Sequence, residues 1–438
     1  MLWLYSLVLG LGLAALSPAL WLRNGRHGRY TRHWRERLGK VPPLEREGAI
    51  WVHAVSVGEA LAVERLVAEL RRALPDRPIV LSVTTAAARQ LVEGRIAADR
   101  IFYFPLDFRF STRRALQAIR PALVLIAETE IWPRFLQQAR NSGVRVVFVN
   151  GRISGRSYAR YRWVRRWLRP VLAGVDRWLM QSATDCERVR DLGAPEAAVE
   201  VAGNLKFDLT PPEHRPVLRQ LARHFQAAQV RNVIVAGSTM PGEEEILLAV
   251  FRHLRQQFPT CILVLAPRHP QRFDAVARQL ELSGLPWSRR TQLESAGVHA
   301  GGVWLLDSLG ELATLYRYAD AAFIGGSLAP HGGHNLLEPA YFGVPVVFGP
   351  SMHNFAAIAE EFLAAKAAFR AESSVELERI LFRLLSDDRL RSSTGEAARA
   401  LLQAKAGATQ RVVATVQAML GPRFSSASNT AATARPPA

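Results

Sequence analysis

The sequence predicts an α/β protein made of two successive halves, each a parallel sheet covered by helices. Three observations carry this. The chain has 438 residues, more than one hydrophobic core usually serves. Short apolar, β-rich runs alternate with helix-period stretches, the pattern of strands buried on both faces. The alternation also occurs twice, interrupted near 209–218 by TPPEHRPV, which reads as a linker. With 49% apolar and 21% charged residues the composition is globular.

Residues 1–22 carry no charged side chain. A helix of about 20 residues, rising ~1.5 Å each, crosses a hydrocarbon layer of ~30 Å, so this segment predicts a single N-terminal membrane anchor. The first basic residue, Arg23, follows the apolar run, whereas a cleaved signal peptide carries one before it. The positive-inside rule then puts 23 onward in the cytoplasm. Pro18 leaves open a segment that bends or lies in the interface. The first half, 23–208, places strands at Ile50–His53, Ile79–Val83, Ile101–Phe104, Leu123–Ala127, Val144–Val149, Trp178–Met180 and Val199–Val201. The second, 209–420, places them at Val233–Ala236, Ile262–Ala266, Val303–Leu306, Ala321–Ile324 and Val344–Phe348. Two halves facing a cleft, with ligands beyond the carboxyl ends of the strands, are the expected arrangement. The tail 421–438 lacks apolar periodicity and is expected to be disordered.

The formal net charge is +18, almost all of it arginine, with lysine only at 40, 206, 366 and 405. Basic residues concentrate at 23–40 and 152–169. In the second stretch Tyr161, Val164 and Leu168 share one helical face, with Arg162, Arg165, Arg166 and Arg169 opposite. A basic amphipathic helix with Trp and Tyr between its charges suits an anionic membrane surface. No motif that reads nucleic acid accompanies the charge, so nucleic acid is not expected as a partner. The cysteines, Cys186 and Cys261, suggest a reducing compartment. No metal or other cofactor is expected, since neither HExxH nor Cys/His spacing occurs.

Candidate site residues sit where strands end. In DAAFIGGSLAPHGGHNLLEP, Gly332 and Gly333 let backbone approach a ligand just before a helix expected near Asn335. His334 lies between them, and Glu338, one turn on, would face ribose hydroxyls while helix amides hold phosphate. The glycines alone fit an ordinary turn equally well. Gly237 and Ser238, Arg268 and His269, and Lys206 follow other strands, and their charges and amides suit phosphate or carboxylate. Glu59 follows the first strand, but Ser56 to Glu59 also matches a helix capping box. Glu128 and Glu130 close another strand, pointing the same way if the strand persists. They serve either proton transfer or a helix dipole.

The ordered blocks RERLG, WVHAVSVGE, AETEIWP, VNGRISGRS, GNLKF, VAGST, PRH, DSLGEL, IGGSL and GGHNLLEP resemble the 3-deoxy-D-manno-octulosonic acid (Kdo) transferases, collinearly to about residue 350. The resemblance implies a GT-B glycosyltransferase of two Rossmann-like domains. It implies inverting transfer of Kdo from CMP-Kdo to the lipid A precursor, lipid IVA, at the cytoplasmic face of the inner membrane, without a required metal. By position in the matching motifs it implies Glu59 as catalytic base, with Glu128 and Lys206 contacting donor or substrate. Arg268, His269, Gly332, Gly333, His334, Asn335 and Glu338 would line the CMP site. After VAGST the family often has His, where this chain has Met240. The alternatives are another GT-B nucleotide-sugar transferase acting on a lipid, and a non-catalytic membrane protein that binds nucleotide or anionic lipid.

Overall fold

A computed structural model describes residues 2–24, 33–209 and 216–421. It divides into two compact units, one formed by Met1–Asp208 with Gly407–Ala438 and the other by Leu209–Ala406. The first unit holds β1 (Ala49–Ala54), β2 (Ile79–Val83), β3 (Arg100–Tyr103), β4 (Pro121–Ala127), β5 (Arg145–Gly151), β6 (Arg177–Met180) and β7 (Val199–Val201). They form one parallel seven-stranded sheet in the order β3-β2-β1-β4-β5-β6-β7. The second unit holds β8 (Asn232–Thr239), β9 (Cys261–Pro267), β10 (Trp287–Arg289), β11 (Val303–Leu305), β12 (Ala321–Ile324), β13 (Val346–Phe348) and β14 (Ala368–Arg370). These pair in parallel in the order β10-β11-β9-β8-β12-β13-β14.

The strands are apolar throughout because both faces are covered. Trp51, Val124, Ile126 and Phe148 pack on one side with Phe135 from the helix Pro133–Asn141. Ile50, Val52, Leu123, Leu125 and Val147 pack on the other with Val63, Leu66 and Leu70 from the helix Val57–Ala73. Alternate residues of one strand thus feed two separate cores. β10 and β14 were absent from the sequence reading. Both are three-residue edge strands.

The domain boundary needs one correction. The sequence places 209–420 in the second half, but the helix Ala408–Leu420 belongs to the first unit, where Ala408, Val412 and Val416 are fully buried beside the helix Val57–Ala73. Its start is fixed by Asp208, whose carboxylate accepts hydrogen bonds from the backbone N–H of Gly407 (2.6 Å) and Thr409 (2.5 Å). The expected disordered tail lies outside the described residues, apart from Gly421.

The N-terminal helix, Leu2–Asn24, also departs from expectation. Among the described residues no helix is long and apolar enough to cross a membrane. Over its first half this helix is seated on the first unit, with Leu2, Tyr5, Ser6, Leu9, Gly10 and Leu13 half-buried. Ser6 Oγ accepts from Arg134 Nε at 2.9 Å, and the Tyr5 hydroxyl bonds to the buried carboxylate of Asp107. Trp3, Leu4, Leu7, Val8 and Leu11 form an exposed stripe on the other side. The basic stretch is likewise not one amphipathic helix. It breaks at Val164 into Gly155–Trp163 and Arg165–Leu172, so Val164 is exposed while Tyr161 and Leu168 pack on the core.

Replacing Asp208 with Ala removes the acceptor for two helix-start amides, which typically costs ~1–2 kcal/mol. Calorimetry should show the first unit's transition moving down with the second unit's unmoved.

Candidate active site

In both sheets the strand order reverses beside the first strand, between β1 and β4 and between β8 and β12. Neighbouring connections leave in opposite directions there, opening a crevice at the carboxyl ends of the strands. The candidate residues gather at these two points, one in each unit.

In the first unit Glu59 lies just beyond β1 in the first turn of the helix Val57–Ala73. The capping geometry is present in full. Ser56 Oγ accepts from the Glu59 N–H at 3.3 Å, while the Glu59 carboxylate accepts from Ser56 Oγ and the Val55 N–H, both at 2.8 Å. Glu59 is nevertheless 7% exposed, and burial pushes its pKa up to about 7, with Glu128 and Glu130 adding like-charge repulsion. A residue that only capped a helix would gain from the ordinary carboxylate range. The carboxylate that caps this helix start is thus also held close to neutrality in its titration.

Glu128 does not continue its strand. β4 ends at Ala127, and Glu128 adopts a left-handed conformation with φ +55°, uncommon for a non-glycine residue. The expected two-residue alternation fails, yet Glu130 remains within electrostatic range of Glu128 and Glu59. Burial raises the Glu130 pKa as well. Asn150 repeats the strain near the end of β5, with φ +56°, and its Oδ1 accepts from the Leu205 N–H at 3.0 Å. That bond fixes the turn Leu205–Phe207, so Lys206 belongs to the first unit, apart from the other residues expected to bind donor. His53, inside the sheet, is no rival base. It bonds Ser82, stacks on Phe104 at 3.8 Å, and burial lowers its pKa to about 3.

In the second unit the loops after β9, β8 and β12 lie side by side. Arg268 and His269 follow β9 and the turn His331–Asn335 follows β12, whereas Gly237 and Ser238 lie inside β8, near its carboxyl end, rather than after it. Gly237 is pressed on Tyr316, whose Oη would stand 1.9 Å from any added Cβ, and Ser238 has φ +58°. Gly332 and Gly333 have φ +87° and +69°, which side-chain-bearing residues rarely adopt. His334 Nε2 is buried without a partner. Desolvation, then Arg268, His269 and His331, lower the His334 pKa to about 4, and His269 is lowered too. Each of these effects disfavours positive charge.

One expectation is corrected. The helix after this turn is only Leu337–Tyr341, so a macrodipole contributes little, and the amides of Gly332 and Gly333 are already bonded to Ser351 Oγ and the Gly326 carbonyl. Asn335 links the turn to that helix: Oδ1 accepts from the Leu337 N–H and Nδ2 donates to Glu338 Oε1, each at 3.1 Å. Glu338 also lies within electrostatic range of Tyr316. Sequence reasoning missed the segment Ser351–Asn354, which braces the turn. Ser351 Oγ accepts from the Gly332 N–H at 3.1 Å, and Asn354 donates its backbone N–H to the Gly332 carbonyl. No local signal in GPSMHN marks that role.

Two parallel α/β units of this kind define a GT-B-like architecture. The UDP-GlcNAc 2-epimerase of Neisseria meningitidis bound to UDP-GlcNAc shares the fold, with a TM-score of 0.55 over 84% of this chain and 100% of that one, at 15% identity. The family model "3-Deoxy-D-manno-octulosonic-acid transferase (kdotransferase)" matches residues 32–209. The 3-deoxy-D-manno-octulosonic acid transferase of Bordetella pertussis is 37% identical over 439 residues, 94% of this chain and 98% of that protein. The protein of the same name from Haemophilus influenzae is 33% identical over 394 residues, 88% of this chain and 91% of that protein. The chain belongs to the Kdo transferase family.

The raised Glu59 pKa has a sign that can be tested. A carboxyl whose folded pKa exceeds its unfolded value stabilises the fold below the unfolded pKa, and that contribution is lost as pH rises through about 7. Glu59→Gln mimics the protonated form. Its stability relative to wild type should therefore improve between pH 5 and 8 in denaturant titrations, and a pH-independent difference would show that Glu59 titrates normally.

Proposed function

We propose that the protein is an inverting glycosyltransferase that moves Kdo from CMP-Kdo to a hydroxyl of the lipid A precursor, lipid IVA. The observation that carries this reading is Glu59, a buried carboxyl at the reversal point of the first sheet with a pKa near neutrality. As base, its carboxylate takes the proton of the acceptor hydroxyl while that oxygen attacks the anomeric carbon. The bond to the CMP phosphate oxygen breaks, and its electron pair leaves with CMP. Arg268 and the ring N–H groups of the neighbouring histidines stabilise the departing charge. Asn335 orients Glu338 toward the ribose hydroxyls. Glu128 and Glu130 hold Glu59 ready to accept a proton, and Lys206 pairs with an anionic group of donor or acceptor. Met240 supplies no proton where related chains often have His.

Glu59→Gln keeps the size of the side chain but removes the base. With CMP-Kdo generated in situ and lipid IVA, product measured by mass spectrometry should fall by at least ~10². Wild-type kcat/KM should rise with pH through about 7 and then level. A Gln variant that transfers Kdo at the wild-type rate would remove Glu59 from the chemistry.

The acceptor is a lipid, and the first unit offers a seat on an anionic membrane. The stripe Trp3, Leu4, Leu7, Val8 and Leu11 suits a helix lying in the interface rather than crossing the bilayer. Trp163 and Trp167 are exposed among Arg162, Arg165, Arg166 and Arg169. The helices Leu2–Asn24 and Arg165–Leu172 both contact Pro133–Asn141. Replacing Leu7 and Leu11 with Ser should weaken binding to phosphatidylglycerol vesicles at least about tenfold without lowering the melting temperature. Equal binding by the variant and wild type would rule out the helix as the seat.

A further inference from the structure

Glu243 and Glu244 open the helix Glu243–Gln257, and both are fully buried. In sequence they look like acidic residues complementing a helix start. Their contacts are of another kind. The Glu243 carboxylate is enclosed by backbone N–H donors: Oε2 accepts from Met240 (2.9 Å) and Gly326 (2.7 Å), and Oε1 from Ser327 (3.0 Å), Leu328 (3.0 Å) and Ala329 (3.3 Å). The turn after β12 is thus wrapped around a carboxylate of this chain. Its amides are not free for a phosphate.

Glu244 holds a different loop. Its carboxylate takes a two-pronged pair of bonds from Arg272 at 2.8 and 2.9 Å and a third from Thr239 Oγ1 at 2.7 Å. The Thr239 carbonyl accepts from both Arg272 Nη1 (3.1 Å) and the Arg268 N–H (3.0 Å). Each carboxylate is one intervening residue away from a candidate phosphate group. From Glu243 the path runs through Gly326, whose carbonyl accepts from the Gly333 N–H at 2.8 Å and whose added Cβ would stand 3.1 Å from the His334 ring. From Glu244 it runs through Arg272 and Thr239 to Arg268 and His269.

We propose that Glu243 and Glu244 are positioning residues for the donor site: a paired brace that sets the Gly332–His334 turn and the Arg268–His269 loop in register for a nucleotide phosphate. Neither touches the reacting atoms. The inference rests on reading the second unit as the donor unit. It differs from a merely structural role because two adjacent carboxylates, facing two different loops, fix the spacing of two groups that must grip one phosphate. A buried carboxylate without its donors is costly, so the loops close on the pair rather than leave it bare. The brace keeps the phosphate groups arranged before ligand arrives.

Glu243→Gln turns an acceptor of five amides into a group with one acceptor oxygen and an N–H₂ that opposes them. The variant should bind CMP about 10- to 100-fold more weakly in calorimetry. The donor KM should rise in parallel while kcat at saturating donor stays within about threefold, because the chemistry is elsewhere. Leu384→Ala, a core cavity in the same unit, serves as the control for lost stability. At a similar fall in melting temperature it should leave the affinity for CMP intact. If Glu243→Gln does not fold, Arg272→Lys decides the matter: it keeps the charge but loses the two-pronged contact, and should weaken CMP about 3- to 10-fold. Variants that bind CMP as wild type does, or that lose no more affinity than Leu384→Ala, overturn the brace while leaving the donor reading intact. Wild-type protein that binds no CMP overturns both.

Discussion

The site depends first on a topological constraint, the reversal of strand order beside the first strand of each sheet. On either side of that point the connecting chains turn away from each other, so the space above the strand ends is not filled by the chain itself. Each sheet is buried on both faces, and only its edge at the carboxyl ends is open to chemistry. Everything proposed as functional follows from which residues the sequence spends at those openings.

The two openings carry opposite electrostatics. In the first unit burial crowds carboxyl groups together, so that holding a proton becomes easy near neutrality. In the second, burial and crowded cations push histidines toward the neutral form. Both sets stand beside strained or glycine backbone. Glu128, Asn150 and Ser238 occupy left-handed conformations that regular strands would not tolerate.

Much of this was legible in the sequence, and the omissions have physical causes. Strands buried on both faces announce themselves as apolar runs, which is why β1, β4, β8 and β9 stand out. β10 and β14 are short edge strands with a charged or polar residue in each run of three, and they leave no such trace. Glycine turns and basic residues after strands could be picked out because their chemistry is local. Glu243 carries no such local mark, because four of the five amides on its carboxylate lie more than 80 positions away. The N-terminal helix departs from expectation for a related reason: composition reports that a segment is apolar, but not that Tyr5 bonds Asp107 and Ser6 bonds Arg134.

The last helix, packed against the third from the start, makes the second unit an insertion within the first. Its boundaries are joined by the hydrogen bond between Asp208 and Gly407, so excising everything between them leaves ends already in contact. The order of synthesis follows. The first unit leaves the ribosome first but is completed last, after the whole second unit has had time to fold. Until Val412 and Val416 arrive, the apolar surface beneath them stays open, so a chain broken off early would be held as an unfinished half rather than released as a working one.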